Sequence, residues 1–170
     1  MHPLSSVFTF FFCNRVKATQ SYTDAIKQIC SVNSVESFFE AYQHLKRPSE
    51  FAQETNLFLF CHTEDGEPIT PEWEHPANAN GGRFIIRAGK DHVDFLWESL
   101  VFELVSGSIF DYAPNVTGIS VSCRSREIVL NIWCSSVNDS ISDELKPSIR
   151  ELLSLPEETS IRFQQHNSNS

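Results

Sequence analysis

Trp73 and Glu74 are neighbours in PEWEHPANANGGRF, residues 71–84, a stretch of Pro, Asn and Gly with no apolar period to pin a bulky ring. An indole held out of a core offers a π face for stacking, and a carboxylate beside it can accept a pair of hydrogen bonds from a heterocycle's edge. Glu72 flanks the same indole on its other side. Further on, Gly81 and Gly82 permit positive φ or a close backbone approach, and they lead into a strand that carries Arg83. Arg124 and Arg126, two apart around a tight hairpin, are expected on one face, and Trp133 ends the strand that follows. Taken singly, Trp73 and Trp133 fit core cover and each arginine fits a solvated strand end. Taken together, aromatic rings, one acid and several arginines are the parts that nucleotide recognition needs: stacking, edge reading and phosphate clamping.

The chain that must position them has 170 residues, 41% of them hydrophobic and 14 of them Phe, enough for one domain with a real core. Acids outnumber Lys and Arg by 22 to 13, for a formal charge of −9. General attraction to nucleic acid is thereby excluded, and any phosphate must be held by a few placed side chains. Five cysteines without a CxxC pair signal neither a disulfide framework nor a zinc site, so no metal or cofactor is expected. The apolar opening from Val7 to Cys13 is short, lacks a basic start, and reads as a strand rather than a signal peptide. A single domain over 1–166 with a disordered tail at 167–170 is the expected organisation.

Further strands are read at residues 24–31, 56–61 and 83–87, in a hairpin spanning TGISVSCRSREIVLNIWC, and in TSIRFQ. Three helices are read: SVESFFEAYQHL, capped by Ser34 and stopped by Pro48; residues 91–105; and SISDELKPSIRELL, with Pro147 near its first turns. On the first, Phe38, Tyr42 and Leu45 form a core stripe, and Val35 with Phe39 forms a second apolar pair beside it. The mixture predicts an α+β fold with a mainly antiparallel sheet.

PEWEHPANANGGRF, SVESFFEAYQHL, LWESL and GISVSCRSREIVLNIW together resemble the messenger-RNA cap-binding proteins of the translation initiation factor 4E family, over nearly the whole chain. The resemblance implies a curved antiparallel sheet with three long helices on its convex face and a cap pocket on its concave face. It implies that the 7-methylguanine base lies between Trp73 and an aromatic of the loop before the first helix, here Tyr22 in place of the usual tryptophan. Glu74 then takes the guanine edge, Trp133 the methyl group, and Arg83, Arg124 and Arg126 the phosphates. A further family lysine falls on Val129, which thins the clamp. On the back, Val35 and Phe39 with His2, Pro3, Trp97 and Glu98 would dock a helix of a scaffold initiation factor or a 4E-binding protein. The resemblance implies a monomeric binding protein, not an enzyme, working in the cytoplasm and also the nucleus, without a membrane partner. Two alternatives stay open: a nucleotide-acting phosphohydrolase, and a cap-binding repressor of translation.

Overall fold

The structure is a computed structural model that describes residues 1–14 and 21–166; the tail expected to be disordered, 167–170, lies outside them. Seven strands form one antiparallel sheet: β1 (Pro3–Cys13), β2 (Ile26–Ser34), β3 (Thr55–Cys61), β4 (Gly82–Ala88), β5 (Val116–Cys123), β6 (Ile128–Cys134) and β7 (Ile161–Gln165). Their spatial order is β2-β1-β3-β5-β6-β4-β7. Among the described residues five α-helices punctuate them: α1 (Tyr22–Ala25), α2 (Val35–Tyr42), α3 (Pro76–Ala79), α4 (Val93–Ser106) and α5 (Asp139–Leu152).

Alternation divides the sheet into two chemistries. On one face Phe10, Leu59, Ile119, Leu130, Ile132, Phe84 and Ile86 are fully buried beneath the helices. Phe10 stacks on Phe38 of α2 at 6.5 Å, and α4 contributes Trp97, Leu100, Val101 and Leu104 to the same core. Their cross-strand register sends Phe58, Ser120, Ser122, Asn131, Trp133 and Arg83 to the opposite, concave face. The α+β class and the curved sheet agree with the expectation.

Several local readings change. The helix after Ser34 is only eight residues long, although Ser34 caps it as read, accepting from Ser37 N at 3.1 Å. Pro147 stands in the middle of α5 rather than near its start, where it forfeits one backbone hydrogen bond. The strand read at 24–31 runs instead from Ile26 to Ser34, with Tyr22–Ala25 helical before it. All five cysteines are free thiols, and burial pushes those of Cys61 and Cys134 up to about 12.

Candidate ligand-binding site

The loop that presents Trp73 is built around a residue that periodicity does not reveal. Asn78, fully buried, donates from Nδ2 to the carbonyls of Thr70 (3.1 Å) and Glu72 (2.9 Å), and its Oδ1 accepts from Thr117 Oγ1 at 2.8 Å. One amide side chain thus fixes the backbone on the near side of Trp73 and ties it to β5. At the loop's far end, a Cβ on Gly81 would sit 1.8 Å from the carbonyl oxygen of Cys134. Glycine is required there by close approach, not by positive φ.

So held, Trp73 stays 48% exposed, and Tyr22 of α1 stays 42% exposed. Both line a cavity of about 530 Å³ on the concave face, together with Glu74, Arg83, Arg124 and Trp133. The Tyr22 hydroxyl donates to the carbonyl of Pro71 at 3.1 Å, two residues before Trp73. The two aromatic-bearing segments are therefore linked by a bond that an indole at position 22 would not make in this way. Burial raises the Tyr22 phenol well above its ordinary pKa, so it remains a donor. The two acids beside Trp73 part company. Glu72 accepts from Thr70 Oγ1 at 3.1 Å, outside the cavity. Glu74 is exposed, lines the cavity and has no side-chain hydrogen bond among the described residues, leaving both oxygens to accept.

The floor is aromatic and polar by turns. Trp133, 4% exposed, donates from Nε1 to Ser120 Oγ at 3.2 Å and packs edge-on against Phe60 at 5.3 Å. The Arg83 guanidinium lies 5.7 Å from the Trp133 ring centre, and it donates from Nη2 to Gln164 Oε1 at 3.3 Å. Its Nε is buried without a partner among the described residues. Burial, then the neighbouring Arg124, lowers the Arg83 pKa. Arg83 thus faces the cavity with a positive charge that protein groups only partly satisfy.

These observations coincide with a wider likeness: residues 3–170 match the family of eukaryotic initiation factor 4E. The chain belongs to this family. The wheat (Triticum aestivum) eukaryotic translation initiation factor NCBP is 38% identical over 172 residues, covering 99% of this chain and 72% of the relative. A schistosome eIF4E solved with m7GpppG and 4E-BP is 27% identical, with a TM-score of 0.81 and coverage of 99% and 92%. Ascaris suum eIF4E-3, solved with an m2,2,7G cap, shares the fold at a TM-score of 0.85 and 22% identity, over 99% of this chain and 93% of that one.

Against the residues that the initiation factor 4E resemblance implied, the structure brings Tyr22, Trp73, Glu74, Trp133, Arg83 and Arg124 to one cavity. Arg126 is not brought there. Residues 124–127 form the hairpin turn, with Arg124 N donating to Glu127 O at 2.9 Å, so strand alternation does not govern Arg124 and Arg126. Arg126 is exposed at the tip. On the back, Val35 and Phe39 are 38% and 50% exposed, and Glu98 accepts from the Tyr42 hydroxyl at 3.3 Å. Trp97 is a correction: at 2% exposure it is core, because α4 turns it inward. Phe102, 37% exposed, takes the outward position and lies 6.2 Å from Phe39. His2 and Pro3 border the patch. His2 Nδ1 meets Glu36 Oε1 at 2.6 Å, a contact that holds the Glu36 carboxyl down at about 2, and Pro3 pairs with Ser34.

His166 gives no sign of itself in the sequence, since a lone histidine near a chain end carries no pattern. Its ring lies 4.8 Å from Trp133, Nδ1 donates to the Asn78 carbonyl at 3.0 Å, and Nε2 is buried without a partner among the described residues. Burial, assisted by Arg83, lowers its pKa, outweighing the Asn78 bond and Glu74, which act the other way. The unfolded chain therefore binds this proton more readily than the folded one. Stability should be full above the unfolded value of about 6.5 and decline as pH falls from there through the lowered folded value. Melting temperatures between about pH 5 and 7 should show this slope in the wild type and a flatter one in His166→Gln.

Proposed function

We propose that this chain binds the 7-methylguanosine cap of messenger RNA in the concave cavity and a helical segment of a scaffold initiation factor or 4E-binding protein on its dorsal helices. The observation that carries the reading is the convergence of two exposed aromatics, one uncommitted carboxylate and two arginines on a single cavity. Methylation at N7 gives the purine a positive charge. Each aromatic face then gains about 0.5–2 kcal/mol of cation–π attraction beyond stacking. The same charge strengthens N1–H and the exocyclic amine as donors, and Glu74 can accept from both. Unmethylated guanine loses these increments together. The schistosome relative was solved with m7GpppG and 4E-BP, which supports both halves of the proposal.

Binding is favoured over catalysis by the cavity's makeup. Glu74 is the only carboxylate among the described residues that line it, and His166, the histidine there, has its Nδ1 committed to the Asn78 carbonyl and its Nε2 buried. A cytoplasmic, monomeric binding protein is the form this reading takes. The test is retention on immobilised 7-methylguanosine phosphate, with elution expected from methylated but not unmethylated nucleotide. Elution by both alike would overturn the reading. Within the site, Glu74→Gln replaces one acceptor by a donor facing donors and should cost about 2–4 kcal/mol in titration calorimetry. Glu72→Gln should leave affinity unchanged, because its carboxylate points elsewhere.

A further inference from the structure

The concave face does not end at the first cavity. A second groove, of about 260 Å³, adjoins it and shares Arg83 and Arg124 with it. Its other lining includes Arg87, Arg162, Glu127 and Val129. Strand register explains the assembly. Arg83, Ile85 and Arg87 share one face of β4; Arg87 stands opposite Val129 on β6, and Ile85 opposite Arg162 on β7. Val129, which the resemblance places where the family carries a lysine, is 2% exposed and apolar. The residue directly across from it restores a positive charge.

The charge balance of the groove is unlike that of the chain. The chain carries −9, yet four of its eight arginines line this one groove. Glu127 is the one carboxylate among the described residues that line it and is divided between two of them, 3.0 Å from Arg87 Nε and 3.5 Å from Arg124 Nη1. Arg162 has no ion pair or hydrogen bond among the described residues. Arg83 is close enough to both Arg124 and Arg162 for their charges to oppose its own. Four like charges, three on neighbouring strands and one at the hairpin turn, with one counter-charge among the described residues, repel one another and gain by accepting an anion.

We propose that this groove is a second subsite, which holds the phosphates farthest from the base and the phosphodiester of the first transcribed nucleotides, with Arg87 and Arg162 as its ligands. The inference rests on the cap-binding reading. Phosphates leaving the base meet Arg83 and Arg124, where the two cavities join, and continue onto Arg87 and Arg162. The cation absent at Val129 is thus supplied from β4 and β7, and the protein distinguishes a capped RNA from a free cap nucleotide.

The test compares 7-methylguanosine monophosphate with a capped tetranucleotide, titrated over a range of salt against wild type, Arg87→Gln, Arg162→Gln and the double variant. The monophosphate should bind all four within about twofold. The tetranucleotide should bind each single variant about 3–10-fold more weakly, and the slope of log affinity against log salt should fall by about 0.7 for each phosphate no longer held. Arg162→Lys, which keeps the charge, should retain most of the affinity, and Glu127→Gln, which removes the counter-charge, should tighten the tetranucleotide. Unchanged tetranucleotide affinity and salt slope in the double variant would overturn the subsite while leaving the cap reading intact. Indifference to N7 methylation, with RNA affinity still reduced in the double variant, would overturn the cap reading and uphold the groove.

Discussion

Trp73→Ala should reduce affinity for 7-methylguanosine triphosphate by about 100-fold, the largest single loss expected on the concave face. Removing a stacked aromatic costs about 1–3 kcal/mol per base, and the cation–π share adds to this. The side chain is 48% exposed, so folding should hardly notice its loss, and the melting temperature should stay within a degree or two. Trp73→Phe keeps a π face and should keep part of the affinity. Fluorescence gives a direct measure, because Trp97 lies in the core and, of the two tryptophans that line the cavity, Trp73 is the one open to solvent. Ligand should quench the wild type strongly and the Trp73→Phe variant far less. Equal affinity for Trp73→Ala and wild type, by calorimetry, would remove the base from this cavity altogether.

How far such a site can be read from sequence depends on what each residue does there. Trp73 and Glu74 were legible because a large ring and an acid in a Pro/Asn/Gly loop have no local reason to be there. The choice of Glu74 over Glu72 rested on the family resemblance; that a Thr70 hydroxyl occupies Glu72 is an interaction between side chains, which no local pattern reveals. Arg83 was legible as a strand residue, but its place over Trp133 follows from the β4–β6 register, which only the folded sheet decides. Alternation misled at Arg126, where the chain is already turning, and the register carried over from the family resemblance misled at Trp97, where a shift of one position exchanges core for surface. Asn78 was invisible for a different reason: its work is hydrogen bonding to backbone carbonyls, which leaves no apolar signature. The same holds for the arginine groove, whose members lie on two strands and a turn.

The dorsal face offers the sharpest separation of folding from function, because two adjacent phenylalanines divide the roles. Phe38 is 1% exposed, stacks on Tyr42 at 5.2 Å and reaches Phe10 beneath it. Phe38→Ala should cost about 3–5 kcal/mol of stability, and thus lower the melting temperature by roughly 10 °C. Phe39 is half exposed and meets Phe102 and the edge of Phe38, an aromatic cluster open to solvent on one side. Truncating it uncovers little buried area, so Phe39→Ala should melt within about 2–3 °C of wild type. Helix-in-groove docking concentrates its energy in a few such anchors, worth about 2 kcal/mol or more each. Phe39→Ala should therefore lose capture of an amphipathic peptide bearing a tyrosine and a leucine pair, while its cap affinity stays at the wild-type value on the far side of the sheet. Phe102→Ala should behave like Phe39→Ala, and Trp97→Ala like Phe38→Ala. Peptide capture that survives Phe39→Ala and Phe102→Ala together would move the partner to another surface; a melting loss for Phe39→Ala as large as that for Phe38→Ala would return Phe39 to the core.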